Sequence, residues 1–230
     1  MSEKTQNSLL TTLMLAVAFA VFTFLVSRFD VAPIGLENTN IGFSSINGPI
    51  HEAIGFSNVW YVVSKLIGYL AFVTVAFFGL LGLLQAVKRK GIFKIDSDII
   101  ALAVFYVVVL AMYIVFDHVY INYRPIYLGE ELEYSYPSSH TMLGLCCYIT
   151  AAFQFKSRIK GSKGTLMSVL CYVLAAVAVI SRALSGVHWF TDIIGSVILS
   201  SVIISFYLLL VSIGKDIERH KCQKNEKEVE

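Results

Sequence analysis

Six apolar stretches, each close to the length that crosses a lipid bilayer, limit what this chain can fold into more than any other feature. A helix needs about 20 apolar residues to span a hydrocarbon core of roughly 30 Å. Such stretches run from Leu9 to Val26, Val59 to Val87, Ile99 to Phe116, Ser139 to Phe155, Leu166 to Leu184 and Phe190 to Ile213. Hydrophobic residues fill 57% of 230 positions and charged residues 15%, and the mean hydropathy is +0.71. That balance excludes a water-soluble monomer. Scarce Pro and Cys exclude a disordered or disulfide-stapled secreted chain. The expected fold is all-α: six transmembrane helices in one bundle over residues 1–215, then a charged, frayed tail over 216–230. The first stretch is read as a retained span rather than a cleaved signal peptide, because no A-x-A site closes it.

The basic residues orient these spans. With the N-terminus inside, the inner segments hold Lys4; Lys88, Arg89, Lys90 and Lys94; Lys156, Arg158, Lys160 and Lys163; and Lys215, Arg219, Lys221, Lys224 and Lys227. These are fourteen of the eighteen Lys and Arg, the asymmetry that cytoplasmic loops carry. Both termini are therefore expected in the cytoplasm of a multi-pass cell-membrane protein. A net charge of +2 with this sorting leaves no patch for nucleic acid, and no obligate protein partner is implied. Cys146, Cys147 and Cys171 fall within spans and Cys222 in the tail, so all four read as structural thiols.

Unusual chemistry collects on the outer side. The first outer connection, Arg28 to Ser57, is rich in turn residues, and an amphipathic interface helix is expected from Ile46 to Phe56, with His51 and Glu52 solvated. The second connection, Asp117 to Ser138, and the third, Ser185 to Trp189, bring Arg124, Ser138, Ser139, His140, Arg182, His188 and Asp192 to one level. Ionisable groups at membrane depth are costly and mark function. Arginine presents a planar fork to phosphate oxygens, and Ser138 would cap a helix whose first amides point at an anion. Phosphate is the ligand this set predicts. His188 and Asp192 are four apart and share a helix face, so Asp192 can fix the tautomer of His188 and leave its other nitrogen free to attack. His140 has no such partner and suits the acid/base role. The scheme calls for a phosphohistidine and for neither metal nor cofactor.

These residues resemble the type 2 phosphatidic acid phosphatase (PAP2) family of membrane lipid phosphatases. Its third signature, Ser-Arg, five residues, His, three residues, Asp, is present as Ser181, Arg182, His188 and Asp192. Its second, Pro-Ser-Gly-His, appears as Pro137, Ser138, Ser139 and His140, with serine for glycine. Its first, Lys, six residues, Arg-Pro, keeps Arg124 and Pro125 but has Asp117 at the lysine position. The resemblance implies His188 as nucleophile, Asp192 as its partner and His140 as acid/base. It implies Arg124, Arg182, Ser138 and the Ser139 amide as phosphate ligands. Ser139 can still donate its N–H unless the backbone there needs positive φ. Asp117 is expected to pair with Arg124, and Lys65, six residues into the second span, is a candidate for the missing cation.

The expected activity is hydrolysis of the terminal phosphate of a lipid phosphate or diphosphate at the outer face. Undecaprenyl diphosphate, phosphatidylglycerol phosphate and phosphatidic acid all qualify. A phosphotransferase with the same phosphohistidine, a membrane lipid binder or transporter, and a zinc hydrolase using His118, His140 and His188 are the alternatives. Retained activity in EDTA separates the last of these.

Overall fold

The computed structural model describes the backbone of residues 1–227 and the side chains of residues 1–223. The side chains of Lys224 and Lys227, counted above among the inner charges, lie outside the described residues. Within them the chain forms seven α-helices: α1 (Glu3–Arg28), α2 (Ser44–Ile54), α3 (Asn58–Lys88), α4 (Ser97–Asp117), α5 (Ser139–Arg158), α6 (Ser162–Leu184) and α7 (Phe190–Lys227). Helices α1, α3, α4, α6 and α7 are long and apolar enough to cross a membrane. Five of the six expected spans therefore meet that standard, and α5 is not among them. The physical reason is its position. Helix α5 packs on α3, α4, α6 and α7, and Met142, Cys146, Cys147, Tyr148, Ala151 and Gln154 on it are buried. A helix shielded by its neighbours rather than by lipid tolerates Thr150, whose hydroxyl bonds the Cys146 carbonyl at 2.7 Å, and Gln154, which bonds the Tyr207 hydroxyl at 2.7 Å.

At one end of the bundle the chain is clamped by charge. Asp96, at the N-cap of α4, accepts from Gln85 (2.8 Å), Arg89 (2.7 Å) and Arg158 (2.9 Å), while Arg158 also reaches Asp98 at 2.6 Å. Helix α1 lies at the periphery against α7, held by polar rungs. Thr5 and Ser212 share a hydrogen bond of 2.8 Å, Thr12 and Ser205 one of 2.9 Å, and the Ser2 amide donates to Asp216 at 2.8 Å. Such bonds hold helices together in lipid, where apolar burial supplies little drive. Asp216 thus belongs to the bundle, and α7 stays helical through Lys227, where a frayed tail was expected from Asp216 on. Lys, Glu, Arg and Gln are good helix formers, so a charged composition changes a helix's solvent without ending it.

The other end carries the connections. Helix α2 is the expected interface helix, but it is docked rather than free. Buried Asn47 donates to Gly42 (2.7 Å) and Thr191 (2.9 Å), and accepts from the Thr191 amide at 3.2 Å. His51 is not solvated as expected: its ring lies 5.3 Å from that of Trp189, while Glu52 is exposed. The 118–138 connection folds back on itself, with Arg124 N–H donating to the Glu133 carbonyl (2.9 Å) and Ser135 N–H to that of Asn122 (2.9 Å).

Candidate active site

Three segments meet at this end. The turn before α5 is sewn onto the start of α7: Ser138 N–H donates to the Asp192 carbonyl at 3.3 Å, and the Ser196 hydroxyl donates to the Ser138 carbonyl at 2.9 Å. Tyr136 anchors the same turn. Its ring covers Gly195, where a Cβ would come within 2.5 Å of it, and its hydroxyl bonds Thr23 at 2.8 Å. The Trp189 indole donates to the Tyr123 carbonyl at 2.7 Å and so ties the 118–138 connection to the α6–α7 loop.

His188 lies in that loop, 5% exposed. Its Nδ1 is 3.6 Å from Asp192 Oδ2, and its Nε2 is 3.0 Å from Arg124 Nη1. A guanidinium only donates. Nε2 therefore carries the lone pair and Nδ1 the proton, which faces the carboxylate. The expected orientation by Asp192 is present, although at this distance it acts through charge more than through a hydrogen bond. Asp192 is held in turn by the Trp189 amide (3.0 Å) and by buried Asn122 (3.1 Å). The first contact is the helix-start reach-back of an N3 carboxylate. Burial, reinforced by the Arg124 and Arg182 charges, holds the His188 ring well below its ordinary value, so it is neutral near pH 7.

Arg124 also donates from Nε to Glu133 at 2.9 Å. Asp117 was the expected partner, and Glu133 takes that place because the fold-back of the connection puts residue 133 beside residue 124. Asp117 instead lines one cleft with Arg124, Ser139 and His188. Arg182 is 2% exposed. Its Nη1 donates to Ser64 at 3.3 Å, its guanidinium sits 5.7 Å from the Tyr61 ring centre, and its Nε has no partner. No carboxylate among the described residues pairs with it. A buried guanidinium so placed calls for an anion.

The Ser138 hydroxyl is buried and shared with Thr141, at 3.0 Å from its hydroxyl and 3.5 Å from its amide. It serves the cap and does not face the cleft, so of the two serines Ser139 alone lines it. Ser139 opens that helix in ordinary helical backbone with no positive φ, so serine fits the glycine position. The His140 ring rests on Gly68, whose Cβ, if present, would stand 3.0 Å from it. The charges of Arg182, Arg124 and Lys65 all reach it. Lys65 lies over the Tyr61 ring at 5.2 Å, the same ring that carries Arg182. His118, by contrast, bonds the Ile114 carbonyl of its own helix at 2.9 Å and is exposed.

Sequence reasoning missed Asn122, Glu133, Tyr61, Ser64 and Gly68. The last three share one face of α3, at spacings of three, four and seven residues from one another, and reading along that face would have found them. Asn122 and Glu133 come to the site through the folding of a loop, which has no periodicity to read.

Bilayer-length apolar helices that gather a buried histidine, a carboxylate and two arginines at one end of the bundle define a multi-pass membrane protein. The PAP2 superfamily model matches residues 99–214, just over half of the chain, and the chain belongs to that superfamily. Among solved structures it is similar to a transmembrane PAP2-type phosphatidylglycerolphosphate phosphatase from Bacillus subtilis. The TM-score is 0.61 at 21% identity, over 91% of this chain and 96% of that one. Aquifex aeolicus LpxE matches at TM-score 0.41 and 21% identity, over 71% and 94%. No curated protein matches the sequence.

Proposed function

We propose that this chain is a membrane phosphatase that removes the terminal phosphate of a lipid phosphate or diphosphate through a phosphohistidine on His188. The carrying observation is the buried His188, with Nδ1 toward Asp192 and Nε2 toward Arg124. Six spans, with α5 as the enclosed sixth, cytoplasmic termini and an outward-facing site in the cell membrane complete the reading. The clustering of basic residues at the end away from His188 supports it.

Substrate phosphate draws Arg124 off Nε2 and takes the donors of Arg124, Arg182 and the first amides of α5. The Nε2 lone pair then forms the N–P bond as the P–O bond to the leaving group breaks, and His140 supplies the proton that the leaving oxygen takes. Asp192 balances the positive ring. His140 next takes a proton from water, whose oxygen attacks phosphorus, and the N–P bond breaks to release phosphate. Phosphate release by the purified protein from a panel of undecaprenyl diphosphate, phosphatidylglycerol phosphate and phosphatidic acid, with and without EDTA, tests this. His188→Ala should abolish turnover with the fold intact. Full activity in that variant sinks the mechanism, and loss of activity in EDTA favours the metal alternative.

A further inference from the structure

Helix α7 begins with half of a capping arrangement. Asp192 reaches back to the Trp189 amide at 3.0 Å. The complementary bond, from a side-chain acceptor at residue 189 to an amide of the first turn, has no source in the helix itself. An indole only donates, and that of Trp189 is spent on the Tyr123 carbonyl at 2.7 Å. The acceptor comes from α2. Asn47, fully buried, takes the Thr191 amide on Oδ1 at 3.2 Å, and its Nδ2 donates to the Thr191 hydroxyl at 2.9 Å and to the Gly42 carbonyl at 2.7 Å. Gly42 is itself seated on the end of α1, where a Cβ would strike the Val26 carbonyl. The contact continues along α2 at one-turn intervals. His51, four residues on, sets its ring 5.3 Å from that of Trp189. Gly55, after four more, lies so close to Gly186 that a Cβ there would strike the Gly55 carbonyl. Residues 47, 51 and 55 thus meet 191, 189 and 186 in reverse order, and α2 backs the whole loop that carries His188. None of these three α2 residues lines the cleft shared by Arg124, Ser139 and His188.

We infer that Asn47 is a positioning residue for the reaction: it supplies from α2 the cap that α7 lacks, and so holds Asp192 and His188 in the relative placement that aims Nε2 at phosphorus. His51 supports the same loop by packing its ring on Trp189. This rests on the phosphatase reading and concerns how that same site is held. Asn47 and His51 act through Thr191 and Trp189 and touch no substrate, while the phosphate donors proposed above lie on other elements. Their loss therefore falls on kcat rather than on KM. A reacting group displaced by about 1 Å costs on the order of a hundredfold in rate.

The test measures kcat and KM for phosphate release from phosphatidic acid by the purified full-length protein in detergent, with thermal melts of each variant. Asn47→Leu keeps a similar volume and removes all three hydrogen bonds. Its kcat should fall by roughly tenfold to a hundredfold, with KM changed by no more than about twofold. Asn47→Asp keeps the acceptor for the Thr191 amide but loses the donor to Gly42, and its kcat should lie between those of Asn47→Leu and wild type. His51→Ala should lower kcat by up to about tenfold, and His51→Phe should restore it, because the ring against Trp189 is what the loop needs. A folded Asn47→Leu with wild-type kcat, or with a raised KM at constant kcat, overturns the inference. If Asn47→Leu does not fold, Asn47→Asp carries the same test, and wild-type kcat or a change in KM alone overturns it there. Equal loss in His51→Ala and His51→Phe would put the imidazole nitrogens in the chemistry and overturn the positioning role. If wild type hydrolyses the lipid and the variants keep its kcat, the phosphatase reading stands and the role of α2 falls. If wild type releases phosphate from no lipid phosphate, both fall.

Discussion

At the residue scale the site turns on which nitrogen of His188 is free. The Arg124 donor requires a lone pair at Nε2, and Asp192 faces the proton at Nδ1. Burial holds this ring below the ordinary value of 6.5, with two consequences. The acid limb of kcat/KM due to the nucleophile should fall well below pH 6.5, and a limb centred at 6.5 would contradict the burial argument. Stability moves in the same pH window. Below 6.5 the unfolded chain binds a proton that folded His188 refuses, so its contribution is full above 6.5 and is lost as pH falls towards the lowered value. Melting temperatures from pH 8 to 5 should show that decline, and His188→Gln should flatten it. Glu133 acts through Arg124. Because Glu133 is 46% exposed, Glu133→Gln should raise KM by no more than about fivefold, with kcat nearly unchanged. A fall in kcat with constant KM would instead place Glu133 in the chemistry.

Elements position these residues through close approaches that a glycine permits. Gly186 has φ of +68°, and a Cβ there would meet the Gly55 carbonyl oxygen at 1.9 Å. Ser57 N–H donates to the Ser185 carbonyl at 3.1 Å across the same junction. The short loop bearing His188 is thus pressed onto the start of α3, and Gly186→Ala should cost about 1–3 kcal/mol and most of kcat. Wild-type kcat and melting temperature in that variant would show that the loop is not held there. At the opposite end Asp96 resists burial's upward push through Arg158, Arg89 and Gln85, which draw its carboxyl down to about 2. Its folded value lies below its unfolded value of 3.8. Its stabilisation is therefore full above about pH 4 and lost as pH falls through 2. Asp96→Ala should lower the melting temperature at pH 7 and erase the difference between pH 7 and pH 2 that this clamp contributes.

Across the whole molecule, charge sorting and site position make one prediction. A cysteine at Glu131 should react with an impermeant thiol reagent in intact cells, and exposed Cys222 should not. The reverse pattern would put the site in the cytoplasm. The helices were legible in the sequence because apolar length and charge sorting are local properties, set by the thickness and polarity of the bilayer rather than by any partner. Spacing alone also picked out Arg124, Ser139, His140, Arg182, His188 and Asp192, whose roles are the proposal made above. Tertiary structure alone decided that Glu133 rather than Asp117 holds Arg124 and that the Ser138 hydroxyl turns inward. It also decided that α5 is shielded and that α3 lends Tyr61, Ser64 and Gly68 to the site. Those facts depend on which surfaces meet once helices pack and loops fold back, and a one-dimensional pattern records the face of each helix but not what will cover it.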